Sequence, residues 1–99
     1  MERPIVEQVA ASKIISTSST LVYGVWSINS TAGKYLKVYD GVSTDGTLRI
    51  TLLGSTSQIS GIAFNEPVLF ASGVYLALES DKVTAMIQFK PLGGKNAEL

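Results

Sequence analysis

Apolar residues recur at every second position through most of this chain, the pattern of strands that turn one face inward. Over Thr20–Asn29 the alternation places Val22, Gly24, Trp26 and Ile28 on one face and Leu21, Tyr23 and Val25 on the other. Both sets are apolar, so this strand is expected at the centre of a sheet or beneath a neighbour, with Trp26 in the core. A turn-rich stretch, Asn29-Ser30-Thr31-Ala32-Gly33, closes it. Residues 34–40 form the next strand, with Leu36 and Val38 pointing one way and Tyr35, Lys37 and Tyr39 the other. Residues 40–46 read as a loop. In the strand that follows, Leu48, Ile50 and Leu52 share a face opposite Arg49 and Thr51.

Residues 54–60 are small and polar and read as a second loop. Ile62 and Phe64 make a short inward pair before Asn65-Glu66-Pro67, where proline marks an edge or a break. Val68-Leu69-Phe70 is a brief apolar run ending at Ala71-Ser72-Gly73. Val74, Leu76 and Leu78 then alternate with Tyr75, Ala77 and Glu79, and Val83, Ala85, Ile87 and Phe89 alternate with Thr84, Met86 and Gln88. The polar pair Ser80-Asp81 between them predicts a hairpin.

The first nineteen residues carry a weaker pattern. Val6, Val9, Ile14 and Ile15 fit a strand with a bulge near Ala10-Ala11, whereas a helix over 5–11 is short and lacks a cap, so strand is favoured. Seven or eight short strands, spaced near ten residues apart, predict an all-β protein: an antiparallel β-sandwich or a small jelly-roll-like barrel. The expected division is an N-terminal arm or first strand over 1–19, a sandwich over 20–91 and a flexible tail over 92–99.

Composition then narrows the chemistry. The 99 residues make one domain with no cysteine and no histidine. Catalysis by an imidazole-activated nucleophile and the usual zinc sites therefore lack their essential groups, and no cofactor is expected. Eight basic and eight acidic residues cancel, so neither nucleic acid nor an anionic membrane is an expected partner. No run approaches a membrane span, and Met1-Glu2-Arg3-Pro4 does not resemble a signal peptide. The lack of cysteine fits folding in a reducing cytosol. Only 16% of residues are charged, and such a neutral exterior suits a protein packed against neighbours, although a small sandwich coated in Ser and Thr has the same composition.

Two groups remain as candidates for chemistry. Asp40 and Asp45 bracket one loop and, with the hydroxyls of Ser43 and Thr44, offer hard oxygen ligands for calcium or a carboxylate pair for hydrolysis. The spacing does not match an EF-hand loop, and an Asp bonding its own turn is the ordinary role of such residues. Tyr23, Tyr35, Tyr39 and Tyr75 lie opposite their strands' aliphatic sets, where aromatic rings stack sugars or bases or fill a second apolar layer at a subunit contact. No basic cluster accompanies them, which disfavours nucleic acid.

Residues 33–91 also carry a run of short pieces: Tyr35-Leu36-Lys37-Val38-Tyr39-Asp40-Gly41, Asp45-Gly46-Thr47-Leu48, Ile62-Ala63-Phe64, Phe70-Ala71-Ser72-Gly73-Val74-Tyr75-Leu76, Val83-Thr84-Ala85 and Phe89-Lys90-Pro91. Together they resemble small β-sandwich accessory proteins of bacteriophage virions, those that decorate or cement capsids or occupy vertices or the tail. The resemblance implies a non-enzymatic component of the virion, assembled in the host cytoplasm. It would bind the major capsid protein or other virion proteins and form a homo-oligomer, with a threefold ring favoured by lattice symmetry. It transfers no catalytic or ligand residues. Ile5, Val6 and Val9 in the uncovered N-terminal segment, with Tyr35, Tyr39 and Tyr75, are the candidate contact residues. The competing reading is a carbohydrate- or host-receptor-binding module that uses the tyrosines as its platform.

Overall fold

The computed structural model describes residues 4–29, 34–53, 59–79 and 83–92. The turns expected at 30–33 and at Ser80-Asp81 and the tail beyond residue 92 lie outside the described residues, as do residues 54–58. The strands are β1 (Ile5–Val9), β2 (Lys13–Ser16), β3 (Thr20–Asn29), β4 (Tyr35–Asp40), β5 (Thr47–Leu53), β6 (Ile59–Phe70), β7 (Val74–Leu78) and β8 (Val83–Pro91). They form two four-stranded sheets, β1-β8-β3-β6 (sheet A) and β2-β7-β4-β5 (sheet B), with every pairing antiparallel. This is the small β-sandwich that the alternation predicted.

The core is the layer between the sheets. Leu36 and Val38 of β4 and Val74 and Leu76 of β7 are fully buried, and they meet Val22 and Val25 of β3 and Val83 and Ile87 of β8. Each of the larger side chains contributes about 1.5–3 kcal/mol by leaving water. The inward and outward sets of β4, β7 and β8 are those the sequence predicts. The N-terminal segment divides at Ala10–Ser12, so that β1 joins sheet A and β2 joins sheet B. Thr20, buried at the start of β3, has its Oγ1 2.7 Å from Ser16 Oγ and 2.8 Å from the Ser18 carbonyl, so this buried hydroxyl is partnered.

Four expectations are corrected. The β7–β8 hairpin does not exist: β7 pairs with β2 and β4, and β8 with β1 and β3. Alternation fixes which face is buried, but two consecutive strands whose apolar faces meet across the core alternate just as two paired strands do. Among the described strands, β4 and β5 are the consecutive pair that hydrogen-bond to each other. Second, the register of β3 shifts between Val22 and Gly24, with Tyr23 as the extra residue. Beyond this bulge the faces exchange, so Val25 and Ser27 point inward and Trp26 and Ile28 outward. Third, a bulge in β5 opposite Val38 and Tyr39 separates Leu48, which is 46% exposed, from the inward Ile50 and Leu52. Fourth, Ile59 and Ser60 belong to a strand, and the two short apolar runs at 62–64 and 68–70 are parts of one β6. Its residues 64–67 stand opposite Tyr23 alone, and Pro67 falls in this irregular stretch, where no ladder bond is needed.

Candidate functional site

The outer face of sheet A is built by register. Val6, Gln88, Gly24 and Ala63 form one cross-strand row, Gln8, Met86, Trp26 and Gly61 the next, and Thr84 pairs with Ile28 in a third. No charged side chain occurs in these rows. Val6 is 58% exposed, and Ile28 and Met86 are also exposed, which is unusual for large apolar residues sharing one sheet face. Lys90 pairs with Leu21 at one end of the face, and Leu69, exposed, lies on the other side of Leu21.

Trp26 organises this surface. Its indole lies across Gly24, two residues earlier on its own strand, and across Gly61, its partner on β6; a Cβ at either glycine would overlap the ring. Glycine in a strand leaves backbone uncovered, and an aromatic ring laid over it restores that cover. Beside the ring is a groove of about 360 Å³ lined by Gln8, Trp26, Ile28, Thr84, Ala85 and Met86.

The outer face of sheet B carries the sequence-predicted tyrosines. Tyr75 pairs with both Ile14 and Tyr39, and Tyr39 with Leu48. The Tyr39 and Tyr75 rings have centroids 6.4 Å apart and are tilted by 51°, so they pack obliquely and do not form one flat platform. Tyr35 lies at the far end of β4 with the Lys37 ammonium 5.6 Å from its ring centroid. Its amide donates to Glu79 Oε1 at 2.7 Å, and the Glu79 amide donates to its carbonyl. Tyr23 belongs to sheet A and does not join the other three. Of the N-terminal candidates, Ile5 and Val6 are exposed, while Val9 is 4% exposed and packs in the core.

Asp40 has a structural assignment. Its Oδ1 accepts the Ser72 amide at 2.8 Å and its Oδ2 accepts the Ala71 amide at 3.1 Å and Arg49 Nη1 at 3.3 Å. The adjacent Gly41 amide donates to the Gly73 carbonyl at 3.2 Å, and both glycines have positive φ, 148° and 131°. Arg49 also lies over the buried Phe70 ring at 5.2 Å. Thus the Tyr39-Asp40-Gly41 and Phe70-Ala71-Ser72-Gly73-Val74-Tyr75 pieces meet as one stitched corner. Both carboxylate oxygens of Asp40 are bonded to amides of the β6–β7 loop. The backbone amide of Asp45 donates a hydrogen bond to Ser43 Oγ at 3.1 Å within the turn. Among the described residues no cluster of three or more acidic, His or Cys side chains could hold a metal.

The sequence reading missed the sheet A face because the β3 bulge inverts the phase after Tyr23. One signal was present: Gly24 interrupts a strand, and a glycine there marks a bulge or a close approach. Comparison with known protein families and with curated proteins finds no match to this chain.

Proposed function

We propose that this chain is a non-enzymatic structural component of a bacteriophage virion, a decoration or cement protein that docks on the shell of the major capsid protein through the outer face of sheet A. The observation that carries the reading is the uncharged surface on one sheet made by the exposed Val6, Ile28 and Met86 around the half-buried Trp26. An interface core is depleted of charge and enriched in Trp and Met, and this face has that composition. The phage assignment rests on the resemblance of residues 33–91. The absence of His and Cys, and the engagement of Asp40 in the loop corner, favour a binding role over a catalytic one.

The test is cosedimentation of the purified chain with assembled, empty capsids of the phage that encodes it, together with mass spectrometry of its purified virions. Binding is expected, with loss in Met86→Glu and retention in Tyr39→Ala. A chain absent from virions and without affinity for the shells overturns the proposal. The second reading, a carbohydrate- or receptor-binding module, draws on a shallow groove of about 350 Å³ flanked by Tyr35 and Tyr39, with Lys37, Thr44 and Glu79 as its polar lining. Glycan-array binding lost in Tyr39→Ala supports that reading, and a flat array removes it.

A further inference from the structure

Each lateral side of the sandwich presents two edge strands, and the two sides are protected very differently. On one side lie β1 and β2. There Glu7, paired with the inward Ile87, and Lys13, paired with the inward Leu76, form an ion pair that bridges the two sheets across the open edge. Charges turned inward at an edge, and edge strands of only five and four residues, are standard obstacles to an incoming strand. On the other side lie β5 and β6. Edge β5 contains Arg49 at its bulge. The second half of β6 is broken by residues 64–67, which include Glu66 and Pro67.

The first half of β6 has no such device. Ile59-Ser60-Gly61-Ile62-Ala63 is uncharged, contains no proline, and pairs in unbroken register with residues 24–28 of β3. Its opposite side is the edge of sheet A, where no strand pairs with it among the described residues. Ile62, across from the buried Val25, is 41% exposed at this edge. Gly61 would weaken such an edge, yet the Trp26 ring lying over it covers the backbone there.

We infer that residues 59–63 of β6 pair with the same residues of a second copy of this chain, joining two A sheets edge to edge about a twofold axis. The occupant follows from charge. In a twofold antiparallel pair the residue at the axis faces its own copy and its neighbours lie close to theirs, so a charge at or beside the axis approaches its like, and neighbouring like charges destabilise a strand pair. The 59–63 segment satisfies that condition with no charge at all, whereas a twofold pair of β1 places Glu7 near its copy and a pair of β5 does the same with Arg49. The pairing carries the apolar outer faces of both A sheets into one continuous surface, with the two Trp26 side chains flanking the axis. It requires an even-numbered particle, in contrast to the threefold ring implied by the resemblance, and it does not depend on capsid binding.

Sedimentation velocity and native mass spectrometry over a range of protein concentrations test this, with the parent chain, Ile62→Lys, Ala63→Lys and, at the opposite edge, Gln8→Lys. A concentration-dependent dimer is expected for the parent and for Gln8→Lys, with about tenfold or greater weakening, equivalent to about 1.4 kcal/mol, in each β6 variant. Amide exchange in a peptide covering 59–63 slows as concentration rises. Circular dichroism and the thermal midpoint confirm that the variants fold, and the use of two β6 positions protects the test against misfolding of one. A parent that is monomeric at all concentrations, a trimer, or a dimer indifferent to both β6 lysines overturns the inference. A dimer with no affinity for capsids leaves it standing while the proposed function fails.

Discussion

The two outer faces of this sandwich are made from the same kind of alternating strand and end in opposite conditions. On sheet B the outward aromatic groups have partners: Tyr39 packs on Tyr75, Tyr35 carries the Lys37 ammonium, and the nearby corner is tied by Asp40 to the β6–β7 loop. On sheet A the outward groups are uncharged, and Val6, Met86 and Ile28 stand exposed beside Gln8, Gln88 and Thr84, with Trp26 spread over two glycines as the floor. Aromatic content therefore does not identify the surface free to bind. Sheet B also exposes Ile14, Leu48 and Leu53, so what separates the faces is charge: Lys37 and Glu79 stand beside the tyrosines of sheet B, while the central rows of sheet A carry no charged side chain.

The largest effect is expected where sheet B is stitched. Asp40→Ala removes an acceptor for two loop amides and the partner of Arg49, and should lower unfolding free energy by about 3 kcal/mol in urea titration. If stability holds, the corner is not what fixes that end of the sandwich. Gly61→Val comes next. The new side chain overlaps the Trp26 ring, so a loss of about 2 kcal/mol is expected, with a red-shifted indole emission as the ring is displaced into water. Unchanged emission would mean that the ring does not rest on β6.

Ser27→Ala works in the opposite direction. Ser27 is 1% exposed, and its Oγ is the buried side-chain oxygen without a hydrogen-bond partner among the described residues. Deleting it should raise stability by about 1 kcal/mol, and a comparable loss would show that the hydroxyl is partnered in solution. The smallest change in stability, within about 0.5 kcal/mol, belongs to Met86→Glu on the exposed sheet A face. Its effect should appear in capsid cosedimentation alone, which makes it the sharpest measure of the contrast between faces.

The residue pattern alone was enough to call this chain all-β, a sandwich or a small barrel, and to name the residues of β4, β7 and β8 that point inward, because burial of a strand follows a local period of two, whereas the division into two separate sheets came from the fold. The pattern also placed Tyr35, Tyr39 and Tyr75 on a common outward side, as their register confirms for Tyr39 and Tyr75. Strand partners were set by the fold, since β7 and β8 alternate alike whether they pair with each other or face each other across the core. The fold also decided the fate of Trp26 and Leu48. One extra residue in a strand, Tyr23 in β3 or Arg49 in β5, reverses every position beyond it, and the need for that residue is set by the neighbouring strands.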